Sequence, residues 1–249
     1  MDCKDAGNER WLEAQEWERA YWDKMTSDAF SFRNYSLLRT LVRVFLGRGI
    51  GNDSNLWWAE KFENYNYIPK NIYNCVEFGC GPFTNLRIIL KNRTAKYIFA
   101  SDPLARHYIN YSMFQLAKKW RSGEYLIDDH PLEEAPFASN FFDLVVCINV
   151  LDHVQKPDLC MTQLLRVLAS GGILILGQDL TTESDLMKNE SIMQKSKMDL
   201  GHPHIFPDSK YFYEYLHVLK PILNKVLTRE EGRAPDWHSG TFIFAGIKN

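Results

Sequence analysis

Apolar residues follow two rhythms along the chain. Over residues 8–30 they recur near the helical period. Trp11, Ala14, Tyr21, Trp22 and Met25 stand there among Glu9, Glu13, Glu16, Glu18 and Arg19, a pattern that predicts a helix. Residues 35–45 repeat it with Leu37, Leu38, Leu41, Val42 and Phe45, and stop at Gly47 and Gly49. Residues 57–65 carry a fainter version. From residue 72 the rhythm shortens. Compact apolar runs at 73–78, 97–100, 125–127, 142–148 and 173–176 predict strands, and stretches at 85–91, 107–120 and 159–168 predict helices between them. The 142–148 run is almost unbroken, as in a strand buried on both faces of a parallel sheet. The last runs, 222–228 and 241–247, have no clear helix between them and suit an antiparallel hairpin at the sheet edge.

Strands alternating with helices mean an α/β fold with a mostly parallel sheet, here of seven strands closed by that hairpin. Residues 1–70 read as an N-terminal helical extension or cap, and residues 71–249 as the α/β domain.

Composition narrows the function. The chain has 249 residues, with 29 basic and 31 acidic side chains for a net charge of −2, so no basic footprint for nucleic acid is expected. At 45% hydrophobic and 24% charged it reads as an ordinary globular protein that needs no staples to bury a core. No apolar leader follows Met1, and no apolar run is long enough to span a bilayer, so a cytoplasmic protein without a membrane partner is expected. Cys3, Cys75, Cys80, Cys147 and Cys160 are odd in number and lack CxxC spacing, which points to reduced, buried thiols and to no metal site.

The candidate chemistry begins where the first strand ends, in Glu77-Phe78-Gly79-Cys80-Gly81-Pro82-Phe83-Thr84. Glycines directly after a strand let backbone approach a ligand. Open α/β sheets bind ligands outside the carboxyl ends of their strands. A dinucleotide fits poorly: G-x-G-x-x-G needs glycine where Thr84 stands, and Pro82 removes a backbone donor where a pyrophosphate wants one. No phosphate loop of the G-x-x-x-x-G-K-[ST] type is present.

Glu77, Gly79 and Gly81 match the acidic-x-Gly-x-Gly motif of another family. The chain resembles the class I S-adenosylmethionine-dependent methyltransferases, particularly the branch that includes quinone-biosynthesis enzymes. Three later segments agree in order. Asp102 follows Glu77 by 25 residues at the end of the second strand. Glu133-Glu134-Ala135-Pro136-Phe137 precedes Phe142-Asp143-Leu144-Val145-Val146, and Cys147–Val154 and Arg166–Leu174 complete the pattern. The likeness covers roughly residues 72–180 and implies a Rossmann-like, doubly wound fold that binds S-adenosyl-L-methionine. By the same likeness Glu77 orients the glycine loop or the methionine amine. Asp102 takes the ribose hydroxyls, Leu132 and Glu133 meet the adenine with Asp129 as a rival, and Asn149 either binds the methionine moiety through its amide or simply satisfies backbone. Phe83 stands where a third glycine is common. It either closes the loop or packs on the ligand.

A hydroxyl acceptor needs a base, and His153, just past the fourth strand, is the candidate; its other reading is a helix-start residue that transfers no proton. His202 and His204 follow the fifth strand, where the family commonly builds acceptor contacts, and either face the acceptor or pack the loop; Tyr21 in the N-terminal helix is a further acceptor-side candidate. Trp11, Trp17, Tyr21 and Trp22 either form a lid over the cofactor or dock the helix. The expectation is a methyltransferase acting on a small-molecule acceptor, more readily at oxygen. The alternative is an inactive methyltransferase-like binding or partner subunit. Oligomeric state and acceptor identity are not legible.

Overall fold

The computed structural model describes residues 3–30, 54–188 and 204–249. The helix expected over 35–45 lies outside the described residues. Helix α1 spans Cys3–Phe30 and α2 spans Asn55–Lys61. The single helix expected over 57–65 breaks because Glu63, Asn64 and Tyr65 all take positive φ. That left-handed turn drives Tyr65 into the core, where it is 1% exposed.

Seven strands form one sheet: β1 (Asn71–Phe78), β2 (Thr94–Ser101), β3 (Leu126–Asp128), β4 (Phe142–Ile148), β5 (Leu168–Leu180), β6 (Leu219–Thr228) and β7 (Gly240–Lys248). Their order is β3-β2-β1-β4-β5-β7-β6, and the last two neighbouring pairs, β5 with β7 and β7 with β6, are antiparallel. This is the doubly wound arrangement expected, with the antiparallel C-terminal pair in place. Chain order runs outward from β1 to β3, then restarts at β4 on the other side of β1, so a crevice opens at the carboxyl ends of β1 and β4.

Alternate side chains of the central strands go to opposite faces. Leu144 and Val146 of β4, with Ile173 and Ile175 of β5, join one apolar cluster, while Val145, Leu174 and Leu176 join the other. The first cluster also holds Trp22, Trp58, Phe62 and Tyr65, so α1 and α2 share a core with the sheet. The second packs under α6 (Pro157–Val167) and α7 (Lys210–Leu216). Cys160, Met161, Leu164 and Val167 form the buried stripe of α6, at i, i+1, i+4 and i+7. Pro221 is tolerated in β6 because that strand is an edge, and the register with β7 shifts beside it.

Three short helices connect the first strands: α3 (Leu86–Ile89), α4 (Ala105–Tyr108) and α5 (Gln115–Arg121). The sequence predicts one helix over 107–120, and the structure divides it. Phe114 is extended and 1% exposed, wedged against Trp22, Tyr108 and Phe83, and a continuous helix could not deliver it there. The amide of Leu116 then donates to the carbonyl of Pro82 (3.1 Å), tying α5 to the glycine loop.

Candidate active site

The glycine loop is shaped from behind. Gly79 and Gly81 have φ of +64° and +52°. Glu77 is 1% exposed. Its carboxylate accepts from the Asn85 amide (2.9 Å), Asn85 Nδ2 (2.8 Å), the Leu86 amide (3.2 Å) and the Thr84 hydroxyl (2.5 Å). Burial raises its pKa, and these bonds pull the other way. Glu77 thus holds the loop that Thr84, itself at φ +44°, turns through.

Gly81 is held from the next strand. Asp102 Oδ2 accepts from the Gly81 amide (3.0 Å), and Oδ1 accepts from the Leu104 amide (2.8 Å). Burial, with the charge of Glu18 adding to it, pushes the Asp102 carboxyl up to about 7.

A cleft of ≈ 950 Å³, counting its opening to solvent, lies over this loop. Among the described residues it is lined by Gly79, Gly81, Asp102, Leu132, Glu133, Asn149 and His153, so seven residues singled out in the sequence meet in one space. Helix α1 supplies the opposite wall with Trp11, Gln15 and Glu18. These stand at i, i+4 and i+7 on one stripe that continues to Trp22. Glu18 accepts from the Tyr108 hydroxyl (3.2 Å). His130 and Pro131 line a third side; His130 Nδ1 lies 2.7 Å from Asp128 Oδ1, which raises its pKa.

Several candidates sit differently from their expected tasks. Glu133 lines the cleft, but its Oε1 accepts the amides of Gln155 (2.7 Å) and Lys156 (2.9 Å) and so fastens the approach to α6. Asp129 pairs with Arg106 (2.5 Å). Asn149 has φ +59°, and its Oδ1 accepts from the Asp179 amide (3.3 Å). Tyr21 does not line the cleft; it stacks on Trp17 at 5.6 Å and meets Trp22 edge-on. Nor does His204, whose ring nitrogen faces the Gln155 carbonyl (3.2 Å). His202 lies outside the described residues. Phe83 packs against Trp22 and Phe114 rather than lining the cleft.

Sequence reading did not single out Gln15, His130, Asp179 or Arg233 as site residues. Arg233 comes from the β6–β7 connection and lines the cleft. The spacing of Trp11, Gln15, Glu18 and Trp22 was the one available signal, a single helical stripe.

The cleft suits S-adenosylmethionine. At Gly81 a Cβ would meet nothing within 4 Å, so the loop presents open backbone. Each Asp102 oxygen accepts one amide and keeps a lone pair for a ribose hydroxyl. Among the described residues no cluster of His, Cys, Asp or Glu could hold a metal ion. No helix among them is long and apolar enough to cross a membrane.

Comparison with known proteins agrees with this geometry. Residues 76–176 match the model of a methyltransferase domain. Over that stretch the chain is similar to methyltransferase domains. An uncharacterised protein of Methanocaldococcus jannaschii is 28% identical to it over 190 residues, 69% of this chain and 83% of that protein. A probable methyltransferase of Aspergillus luteorubrus is 28% identical over 115 residues, 43% of this chain and 40% of that protein. In structure, the N-methyltransferase NodS of Bradyrhizobium japonicum, solved with S-adenosyl-L-homocysteine, superposes with a TM-score of 0.54 at 14% identity. That superposition covers 79% of this chain and 86% of NodS, and at such identity it shows the shared fold.

Proposed function

We propose that this methyltransferase domain acts on an oxygen of a small-molecule acceptor. The observation that carries the reading is the joint between Asp102, past β2, and the Gly81 amide, past β1, beside the switch in strand order. It sets a carboxylate for ribose beside open backbone for the methionine moiety. The bound cofactor supplies an electrophilic methyl on a sulfonium. This chain's residues position it and keep water out, and such alignment lowers barriers by about 7–11 kcal/mol.

Oxygen is favoured by His153. It lines the cleft past β4, with Nε2 3.8 Å from Asp152 Oδ2. An imidazole backed by a carboxylate can take a hydroxyl proton as the oxygen attacks. His130, Pro131 and Leu132 suit the adenine side, and Asn149 the methionine side. The likeness to the quinone-biosynthesis branch suits an aromatic hydroxyl as acceptor. The four described cysteines are buried and unpaired, and burial pushes Cys75 up to about 12, which suits a reducing cytoplasm.

The test is calorimetric titration with S-adenosylmethionine and S-adenosylhomocysteine beside Asp102→Ala. Micromolar binding lost in the variant is the expected result. Equal binding by both proteins would place the cofactor elsewhere and sink the reading.

A further inference from the structure

Asp179 lies near the carboxyl end of β5 with a side chain only 1% exposed. A buried carboxylate must be matched by donors. Thr241 donates its hydroxyl (3.0 Å), and Arg233 donates from Nε (3.1 Å) and Nη2 (2.5 Å) to Oδ2. His238 Nε2 stands 3.6 Å from the same oxygen. A guanidinium has five N–H donors in a rigid fork. Asp179 takes two, so the pairing orients Arg233 without exhausting it. The rest of the fork belongs to a side chain that is 24% exposed and lines the cleft.

The loop carrying Arg233 is itself fastened. Arg229 Nη2 grips both oxygens of Asp185 (2.9 and 3.0 Å), and its Nη1 donates to the Pro235 carbonyl (3.0 Å). The Ser239 amide donates to the Leu180 carbonyl (2.7 Å). Arg233 is therefore held in place before anything binds.

Its position decides what it meets. Among the described residues lining the cleft, Arg233 is the one Lys or Arg, while Glu18 and Asp102 stand toward β2. From β2 to β5 there are three strand spacings, about 14 Å. Acid lies where the ribose belongs; the base lies beyond β4, past His153. An uncharged acceptor gains nothing from a pre-set guanidinium, whereas a carboxylate or phosphate gains charge-assisted, directional bonds.

We propose that Arg233, aimed into the cleft by Asp179, is the specificity-determining residue for the methyl acceptor and takes an anionic oxygen group on it. The inference rests on the cofactor lying toward Asp102. Cofactor binding and anion binding are therefore measured separately. The full chain, first titrated with S-adenosylhomocysteine and then saturated with it, is titrated with benzoate, inorganic phosphate and neutral benzamide. At least one anion binds in the millimolar range or tighter, and benzamide at least tenfold more weakly. Arg233→Gln weakens the anion at least tenfold and leaves S-adenosylhomocysteine within twofold. Because that variant strands a buried carboxylate, the double variant Arg233→Gln/Asp179→Asn is measured beside it, with the same losses expected. Benzoate and phosphate arms together show which anion the fork prefers.

Three results overturn the proposal. One is no binding by either anion. Another is anion binding that survives in both variants. The third is a tenfold loss of S-adenosylhomocysteine in Arg233→Gln, which would hand Arg233 to the cofactor's own carboxylate. Failure of the wild type to bind S-adenosylhomocysteine at all is a separate outcome, and it removes the underlying cofactor reading as well as this one.

Discussion

The rings of Phe83 and Trp22 meet edge to face, 5.6 Å between centroids. One belongs to the glycine loop and the other to α1, so Phe83 fastens the N-terminal helix to that loop. Tyr108 and Phe114 complete the cage around Trp22, at 6.4 and 5.7 Å. Docking and covering, the two readings open for the α1 aromatics, fall to different residues: Trp22 docks, and Trp11 lines the cleft.

Trp22→Ala empties that cage. A loss of about 3–5 kcal/mol in stability is expected from urea unfolding, the usual range for deleting a buried tryptophan. S-adenosylhomocysteine affinity should fall with it, since α1 carries Trp11, Gln15 and Glu18. Unchanged affinity would mean α1 plays no part in holding the cofactor.

The two glycines should separate stability from binding. A Cβ at Gly79 would lie 2.2 Å from Val150 Cγ2, so Gly79→Ala should lower both the melting temperature and cofactor affinity. At Gly81 the same atom meets nothing, and only the left-handed backbone costs about 1–2 kcal/mol. Gly81→Ala should bind the cofactor at least tenfold more weakly with a small change in melting. Equal effects of the two variants would contradict this.

The raised Asp102 carboxyl has a pH signature. On the proposed reading ribose hydroxyls donate to its ionised form, so affinity should rise as pH climbs toward about 7 and level off above it. Below that point the loss approaches about tenfold per pH unit. In the free protein the sign reverses. A carboxyl raised on folding contributes stability in acid that is lost as pH rises through about 7. Glu18→Gln removes a charge that raises it and should move both midpoints to lower pH. Titrations with S-adenosylhomocysteine from pH 5 to 9 check the first, and melting of the free protein checks the second.

His153→Asn should cut kcat for an oxygen acceptor by about 10²–10⁴ while cofactor affinity stays put. A wild-type rate in the variant would remove the base and favour an acceptor that needs none.

Part of the sheet was legible because a strand buried on both faces reads as a nearly unbroken apolar run, as in β4. Asp102 was legible because it directly follows the short apolar run at the end of β2. β5 was not read to its full length: the glycines at 171 and 172 look like a stop, yet the strand runs from Leu168 to Leu180. Helix α7 hid in an aromatic-rich stretch, Tyr211 to Tyr215, whose composition favours strand. Glu133 shows a different limit. Its place beside the cleft was readable, but the backbone amides it accepts come from residues more than twenty positions later. Arg229 and Arg233 look alike in sequence; only tertiary partners send one to Asp185 and the other toward the cleft.

The wall that α1 lends to the cleft also sets a clock. Trp11 and Glu18 belong to a helix that is anchored where Trp22 sits among Phe83, Tyr108 and Phe114. A ligand whose release waits on movement of α1 would be held by that anchor, and turnover would then be paced by departure of the spent cofactor rather than by methyl transfer.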